Sequence, residues 1–432
     1  MIPARTARNE HLIELSLFLL VSVIVLHDGW LLHSVNPYEF LRHGGDALGY
    51  YQWLPAVFID HEVDKMYWTY QMENGHNLSL FSFGVAILQL PFFLIGHLCA
   101  SAFGYPMNGF SSPYGVAQLA GIACYAGAGC VLAYRLACRF SDAVSGLLSV
   151  VSLFAATNLF YYSVYDPTMS HLYSFFLVGL LGYSTLRLLD GPPTPPRATH
   201  TVLFIVSASL MVLVRQLNAV VLLFPLVMAW RSRGGIKGFM RALATSRAVA
   251  IASVLLALVP WLLQMLYWYH TTGDMLTFTY GKKGESFDFV RMVPGMVMAN
   301  VRNGWLVYSP LMIPMLGFLL ASAWRGTGPA RSILIVLVLV WLLYSAWWCW
   351  WLGTGYGHRG FVDIYALLSI PLAWMFRSVV ERGWSLRLVT CFAVVAFIKL
   401  NFGLMERFQW DWSWENWNWQ RYFEQVSSVI TG

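Results

Sequence analysis

The sequence predicts an all-α, polytopic membrane protein of about eleven transmembrane helices, and three observations carry that expectation. Of the 432 residues, 58% are hydrophobic and 11% charged, against roughly 25% charged in ordinary soluble domains. Apolar runs of about 20 residues, the length that crosses a bilayer, recur from Leu12 to Asn401. The 20 Trp and 22 Tyr suit the amphipathic belts found at membrane–water boundaries. The net charge of +6 therefore reads as topology, with no nucleic-acid partner implied.

Arg5 and Arg8 precede the first apolar run, 12–31, and place the N-terminus in the cytoplasm by the positive-inside rule. No small-x-small cleavage site follows His27-Asp28-Gly29-Trp30, so the run is read as a retained anchor. A first outer loop then extends over 32–113, much longer than a usual connection and expected to hold its own interfacial helices. Within it, the apolar run from Leu80 to Phe103 contains Pro91 and His97. A crossing there would put Arg135 and Arg139 outside, so the run is read as interfacial or re-entrant.

Segment two (114–137) returns to Arg139, segment three (144–164) rises to Tyr165-Asp166-Pro167, and segment four descends to Arg187. The block 201–230 is broken at Arg215 and is read as two short segments, because a charge inside a lipid-facing helix costs about 2.5–3.5 kcal/mol or more. The loop 231–247 carries five Lys and Arg and is cytoplasmic. Segment seven (248–269) leads to a second long outer loop, 270–303. Four further segments end at Arg325, at the Trp347–Trp351 cluster, at Arg377 and near Asn401. The tail 402–432 is then Trp-rich and outside, and 1–432 forms one membrane domain. The six cysteines form no CxxC pair, so neither a disulfide framework nor a zinc motif is expected.

This layout gathers the unusual polar residues on one side. Asp46 lies in Gly45-Asp46-Ala47-Leu48-Gly49-Tyr50-Tyr51, where a carboxylate at the water boundary can stay ionised and still face a lipid-borne substrate. Asp166 stands at the turn between segments three and four, with cation binding, acceptor contact, positioning of Asp46 and simple helix capping all open. Arg215, Lys282, Lys283, Arg302, His358 and Arg359 are the candidate phosphate ligands. Their plainer readings are pairing of Arg215 with Asp166, solvation of the two lysines, interfacial anchoring of Arg302, and a helical pair between Arg359 and Asp363. Tyr50, Tyr51 and His171 are the candidate substrate contacts. Carboxylates facing guanidinium groups suit a reaction in which an acceptor hydroxyl is deprotonated and attacks a sugar carbon whose phosphate leaves.

Four places in order resemble the GT-C class of integral-membrane glycosyltransferases, in particular the branch of protein O-mannosyltransferases and the lipid A aminoarabinose transferase. They are Gly45 to Tyr50, the stretch Ser82 to Phe93, the Arg-bearing turn Tyr134 to Arg139, and Tyr165-Asp166-Pro167. The likeness covers roughly 10–230 and departs at Ala47, where the family usually has Glu. The resemblance implies transfer from a polyprenyl-phosphate sugar to a hydroxyl of a glycan, lipid or protein, with inversion and with Asp46 as general base. It also implies no nucleotide-sugar site, leaves a divalent cation undecided, and points to the bacterial inner (plasma) membrane with the active site extracytoplasmic. A flippase or transporter of lipid-linked sugars, or a noncatalytic subunit of the same fold, are the competing readings; the absence of an internal repeat weighs against a transporter.

Overall fold

The computed structural model describes residues 7–33, 39–42, 45–190, 197–244, 246–411 and 417–431. Its regular secondary structure is nearly all helix, as lipid requires of segments with no water to hydrogen-bond their peptide groups. Helix α1 (Ala7–His33) leads to three short helices, α2 (Glu39–Arg42), α3 (Asp46–Tyr51) and α4 (Trp53–Phe58). A two-stranded hairpin follows, β1 (Tyr70–Gln71) and β2 (Asn77–Leu78), with Tyr70 opposite Leu78. Helices α5 (Gly84–Phe103) and α6 (Ser112–Cys138) come next. Within 32–113 the described residues thus form α2, α3, α4, the hairpin and α5.

Helix α6 is the inner post of the molecule, packing against α1, α5, α9 (Ser170–Leu189) and α19 (Tyr365–Val380). Its small residues permit this. A side chain at Gly127 would meet Ser22 and the backbone of Phe18, and one at Gly129 would meet the Phe175 ring, so α1 and α9 approach at backbone distance. Arg135 of α6 holds Glu14 of α1 through two bonds of 2.8 and 2.6 Å.

Between α6 and α9 lie α7 (Ala143–Ala155) and the short α8 (Tyr161–Val164). Segment three is therefore shorter than its apolar pattern suggests, because the chain leaves helix at Ala156 and resumes as a turn. Asp142 begins α7 by accepting the N–H groups of Val144 and Ser145, the usual N-cap arrangement. The block around Arg215 is broken as expected, into α10 (Arg197–Val214), a 3-10 turn (Gln216–Leu222), and α11 (Leu223–Arg231).

Helix α12 (Gly235–Leu243) precedes α13 (Arg247–Thr272), and three short helices follow, α14 (Thr279–Lys282), α15 (Pro294–Ala299) and α16 (Trp305–Tyr308). Then come α17 (Met312–Arg325), α18 (Ala330–Ala346), α19, α20 (Trp384–Asp411) and α21 (Trp419–Thr431). Helix α20 continues past Asn401, where the final crossing was expected to stop. The Asn401 amide is buried and donates to the carbonyls of Ala155 and Thr157, so a polar residue is accommodated inside the bundle. Part of the Trp-rich tail, 412–416, lies outside the described residues.

Among the described residues, seven helices are long and apolar enough to cross a membrane, eight if the bent pair over 216–243 is one span, with four shorter apolar helices beside them. The chain is an integral membrane protein: α13 and α20 turn Leu255, Leu256, Leu262, Phe392 and Val395 outward, a surface only lipid covers favourably. Helix α5 also has the length and composition of a span, so its interfacial reading rests on the charge rule alone. Its start is pinned tightly: Gly84 lies where a side chain would come within 2.6 Å of the Val214 backbone, and Ser82 donates to the Leu213 carbonyl.

Candidate active site

Asp46 opens α3 directly after Gly45, whose φ of 97° is a conformation glycine adopts without strain. Arg359 opens a 3-10 turn, Arg359–Ile364, leading into α19. A side chain at Gly360 would strike the Tyr344 ring at 2.2 Å, so this turn lies flush against α18. The approach brings Arg359 Nη2 to 2.5 Å from Asp46 Oδ2, with the two side chains 16% and 31% exposed. Arg359 is also within electrostatic reach of Asp166.

Arg215 occupies the extended residue between α10 and the turn that follows it. Its Nε lies 3.1 Å from Asp363 Oδ2, Nη1 donates to Ser170 Oγ at 3.1 Å, and Nη2 donates to Tyr344 Oη at 3.0 Å. Each terminal nitrogen carries a second N–H that can serve a ligand. Asp363 in turn receives His171 Nδ1 at 2.7 Å on its other oxygen. A buried carboxylate is costly unless paired on this scale, and here it fixes the arginine.

These elements enclose a cavity of about 480 Å³ lined by Asp46, Tyr50, Arg215, Lys283, Glu285 and Arg359, a size typical of small-molecule sites. Aromatic walls come from Phe81, Phe278, Tyr280, Phe287, Tyr344 and Trp347. Three cationic and two anionic side chains line it, so its charge favours an anion, strengthened by low-dielectric walls. Burial pushes the Tyr50 phenol up, with Arg215 opposing and Asp46 reinforcing the effect. The Tyr280 phenol is likewise pushed well up by burial, reinforced by Tyr50 and Asp46. Both remain protonated hydrogen-bond donors at neutral pH.

Of the residues singled out from sequence, Asp46, Tyr50, Arg215, Lys283 and Arg359 line this cavity, while Asp166, Tyr51, His171, Lys282, Arg302 and His358 do not. Tyr51 is one helix position, about 100°, from Tyr50; it is fully buried and donates to the Gly109 carbonyl. His171 is buried behind the wall on Asp363. His358 is buried with Nε2 2.9 Å from the Trp350 carbonyl, which requires that nitrogen to donate. Lys282 pairs with Asp274 at 3.4 Å. Two plain alternatives are corrected: Arg215 pairs with Asp363 in place of Asp166, and Arg359 pairs with Asp46 in place of Asp363. Glu285, Tyr280 and Tyr344 were missed, and Asp363 was weighed only as a partner of Arg359; nothing in the local sequence of Tyr344 or Asp363 links them to Arg215, more than a hundred positions away.

Among the described residues, the one trio of potential metal ligands, Asp64, His76 and His270, does not include Asp46. None of the six cysteines forms a disulfide.

The fold is that of the GT-C membrane glycosyltransferases. Two solved proteins share it. The oligosaccharyltransferase AglB of Archaeoglobus fulgidus aligns over 95% of this chain and 56% of its own, with 14% identity and a TM-score of 0.52, both in the apo form and in complex with an inhibitory peptide and a dolichol-phosphate. ArnT from Cupriavidus metallidurans, bound to undecaprenyl phosphate, aligns over 93% of this chain and 73% of its own, with 14% identity and a TM-score of 0.51. The chain thus spans a little over half the length of the oligosaccharyltransferase. No protein-family model and no curated protein matches the sequence.

Proposed function

We propose that the protein is a glycosyltransferase that moves a sugar from a polyprenyl-phosphate carrier to a hydroxyl acceptor. The observation that carries this reading is the convergence of Asp46, Arg359, Arg215 and Lys283 on one cavity. The fold neighbours, one with undecaprenyl phosphate and one with a dolichol-phosphate, support a donor of this chemistry. Asp46 takes the proton of the acceptor hydroxyl, whose oxygen attacks the anomeric carbon from the face opposite the leaving group. The bond from that carbon to the phosphate oxygen breaks, its electron pair stays on the phosphate, and the anomeric configuration inverts. Arg359 orients the Asp46 carboxylate, while Arg215 and Lys283 hold the phosphate. Asp166 and the tyrosine donors Tyr50 and Tyr280 assist through the charge of Arg359 and contacts to the sugar. On this reading the cavity opens at the extracytoplasmic face of the plasma membrane, and the acceptor is a glycan, lipid or protein.

The test is incubation of membranes carrying the protein with a labelled polyprenyl-phosphate sugar. Label should appear on an acceptor with the wild type, and Asp46→Asn should reduce the rate by about 10²–10⁴-fold, the usual contribution of a general base, while expression and folding persist. Full activity of that variant refutes the mechanism. Label that only changes leaflet refutes transfer in favour of a flippase.

A further inference from the structure

Away from the cavity, three side chains that are far apart in sequence meet at the end of α13. Asp64 belongs to the 3-10 turn Val63–Lys65, His76 lies on the hairpin beside β2, and His270 is in the last turn of α13. His76 Nδ1 is 3.1 Å and His270 Nε2 3.5 Å from the same oxygen, Asp64 Oδ2, and the donor atoms of the three all lie within 4.8 Å of one another. The imidazole rings are tilted by 56° with centroids 4.4 Å apart.

We propose that Asp64, His76 and His270 form a zinc site that clamps the first loop to α13. Two imidazoles and a carboxylate are the donor set that suits Zn²⁺ and leaves a fourth position for water. Ligands about 2.1 Å from a tetrahedral ion stand about 3.4 Å apart, which the 3.1 and 3.5 Å separations bracket. The carboxylate is aimed in advance. Asn77 donates its backbone N–H to Asp64 Oδ1 at 3.1 Å and its side-chain amide to the Asp64 carbonyl at 2.8 Å, the outer support that metal ligands commonly have. Both ring nitrogens can donate to Asp64 Oδ2, an oxygen with two lone pairs; a bound cation would take the place of those two shared protons and draw the same three atoms onto itself.

The neighbourhood explains what the ion would stabilise. Asn74 of the hairpin donates to the Thr271 carbonyl, and the Tyr267 hydroxyl bridges Asn77 and Ser79. From Ser79 the chain runs directly into Leu80, Phe81 and Ser82 of the cavity wall. A cation at this point would lock that wall in place without touching the reacting groups, so the inference stands apart from the proposed reaction.

The test uses the full-length protein in detergent, stripped with EDTA and dialysed against Zn²⁺. Metal analysis should find about one zinc per chain for the wild type. His76→Ala and His270→Ala should lose it, and His61→Ala, in the same loop, should keep it. Zinc should raise the thermal unfolding temperature of the wild type but not of His76→Ala. If His270→Ala fails to fold, cobalt in the wild type decides: a four-coordinate ion absorbs strongly in the visible, a six-coordinate aquo ion weakly. Equal zinc in the wild type and His76→Ala, no zinc above buffer in the wild type, or the weak cobalt spectrum would each overturn the site.

Discussion

Arg359 donates to Asp46 at 2.5 Å from 313 positions further along the sequence. The pair joins the first loop to the start of α19, so the orientation of the candidate base is set by the far end of the chain. Arg359→Lys keeps the charge but loses the planar fork. It should lower kcat by about 10²-fold, the cost of a misplacement near 1 Å, with a smaller change in KM for the lipid donor. Initial rates over a range of donor concentrations check this.

Arg215→Met removes the partner of a carboxylate that is 2% exposed. Leaving that charge unpaired should destabilise the protein by about 3–5 kcal/mol and abolish donor binding. Arg215→Met combined with Asp363→Asn should regain most of the stability but none of the binding. Thermal unfolding and donor affinity, measured on both variants, separate the structural role from the phosphate-binding one.

Lys283 lines the cavity and pairs with Glu285 at 2.9 Å, whereas Lys282 faces Asp274 in an exposed pair. Lys283→Ala should raise KM for the donor about tenfold, the worth of one charge-assisted contact. Lys282→Ala should change it by less than about twofold, as expected of a surface ion pair. Parallel kinetics on the two variants decide which neighbouring lysine meets phosphate.

Asp142 supplies a pH dependence. Partial burial raises its carboxyl, but the Ser145 hydroxyl and the capping N–H groups outweigh that and hold it below the ordinary value. Its stabilisation is therefore complete above the unfolded carboxyl value, about 3.9, and is lost as pH falls through the lower folded value. Asp142→Ala should cost about 0.5–2 kcal/mol at neutral pH. The difference from the wild type should shrink below about pH 4 in thermal unfolding.

The sequence displays what depends on local pattern. Long apolar runs reveal the spans, Arg215 reveals a break because lipid does not tolerate it, and Gly45-Asp46 reveals a carboxylate at a boundary. Partnership is invisible at that level. Asp363 and Tyr344, which fix Arg215, sit in or beside stretches that read as ordinary membrane helix. Tyr51, His171 and His358 look like their neighbours Tyr50 and Arg359 in a string of letters, and helix phase or a carbonyl acceptor turns each of them inward. Asp64, His76 and His270 share no motif spacing, because the hairpin and α13 must meet before they become neighbours.

At Gly84 two stretches of main chain touch with nothing between them, immediately before Arg215, so that flank of the chamber has no slack. A bulkier sugar must be accommodated by the facing flank, residues 277–287, where rings and a lysine can rearrange. Altered donor preference should therefore be sought by randomising that segment, while changes at 82–84 or 213–215 would deform the chamber and leave its selectivity unrefined.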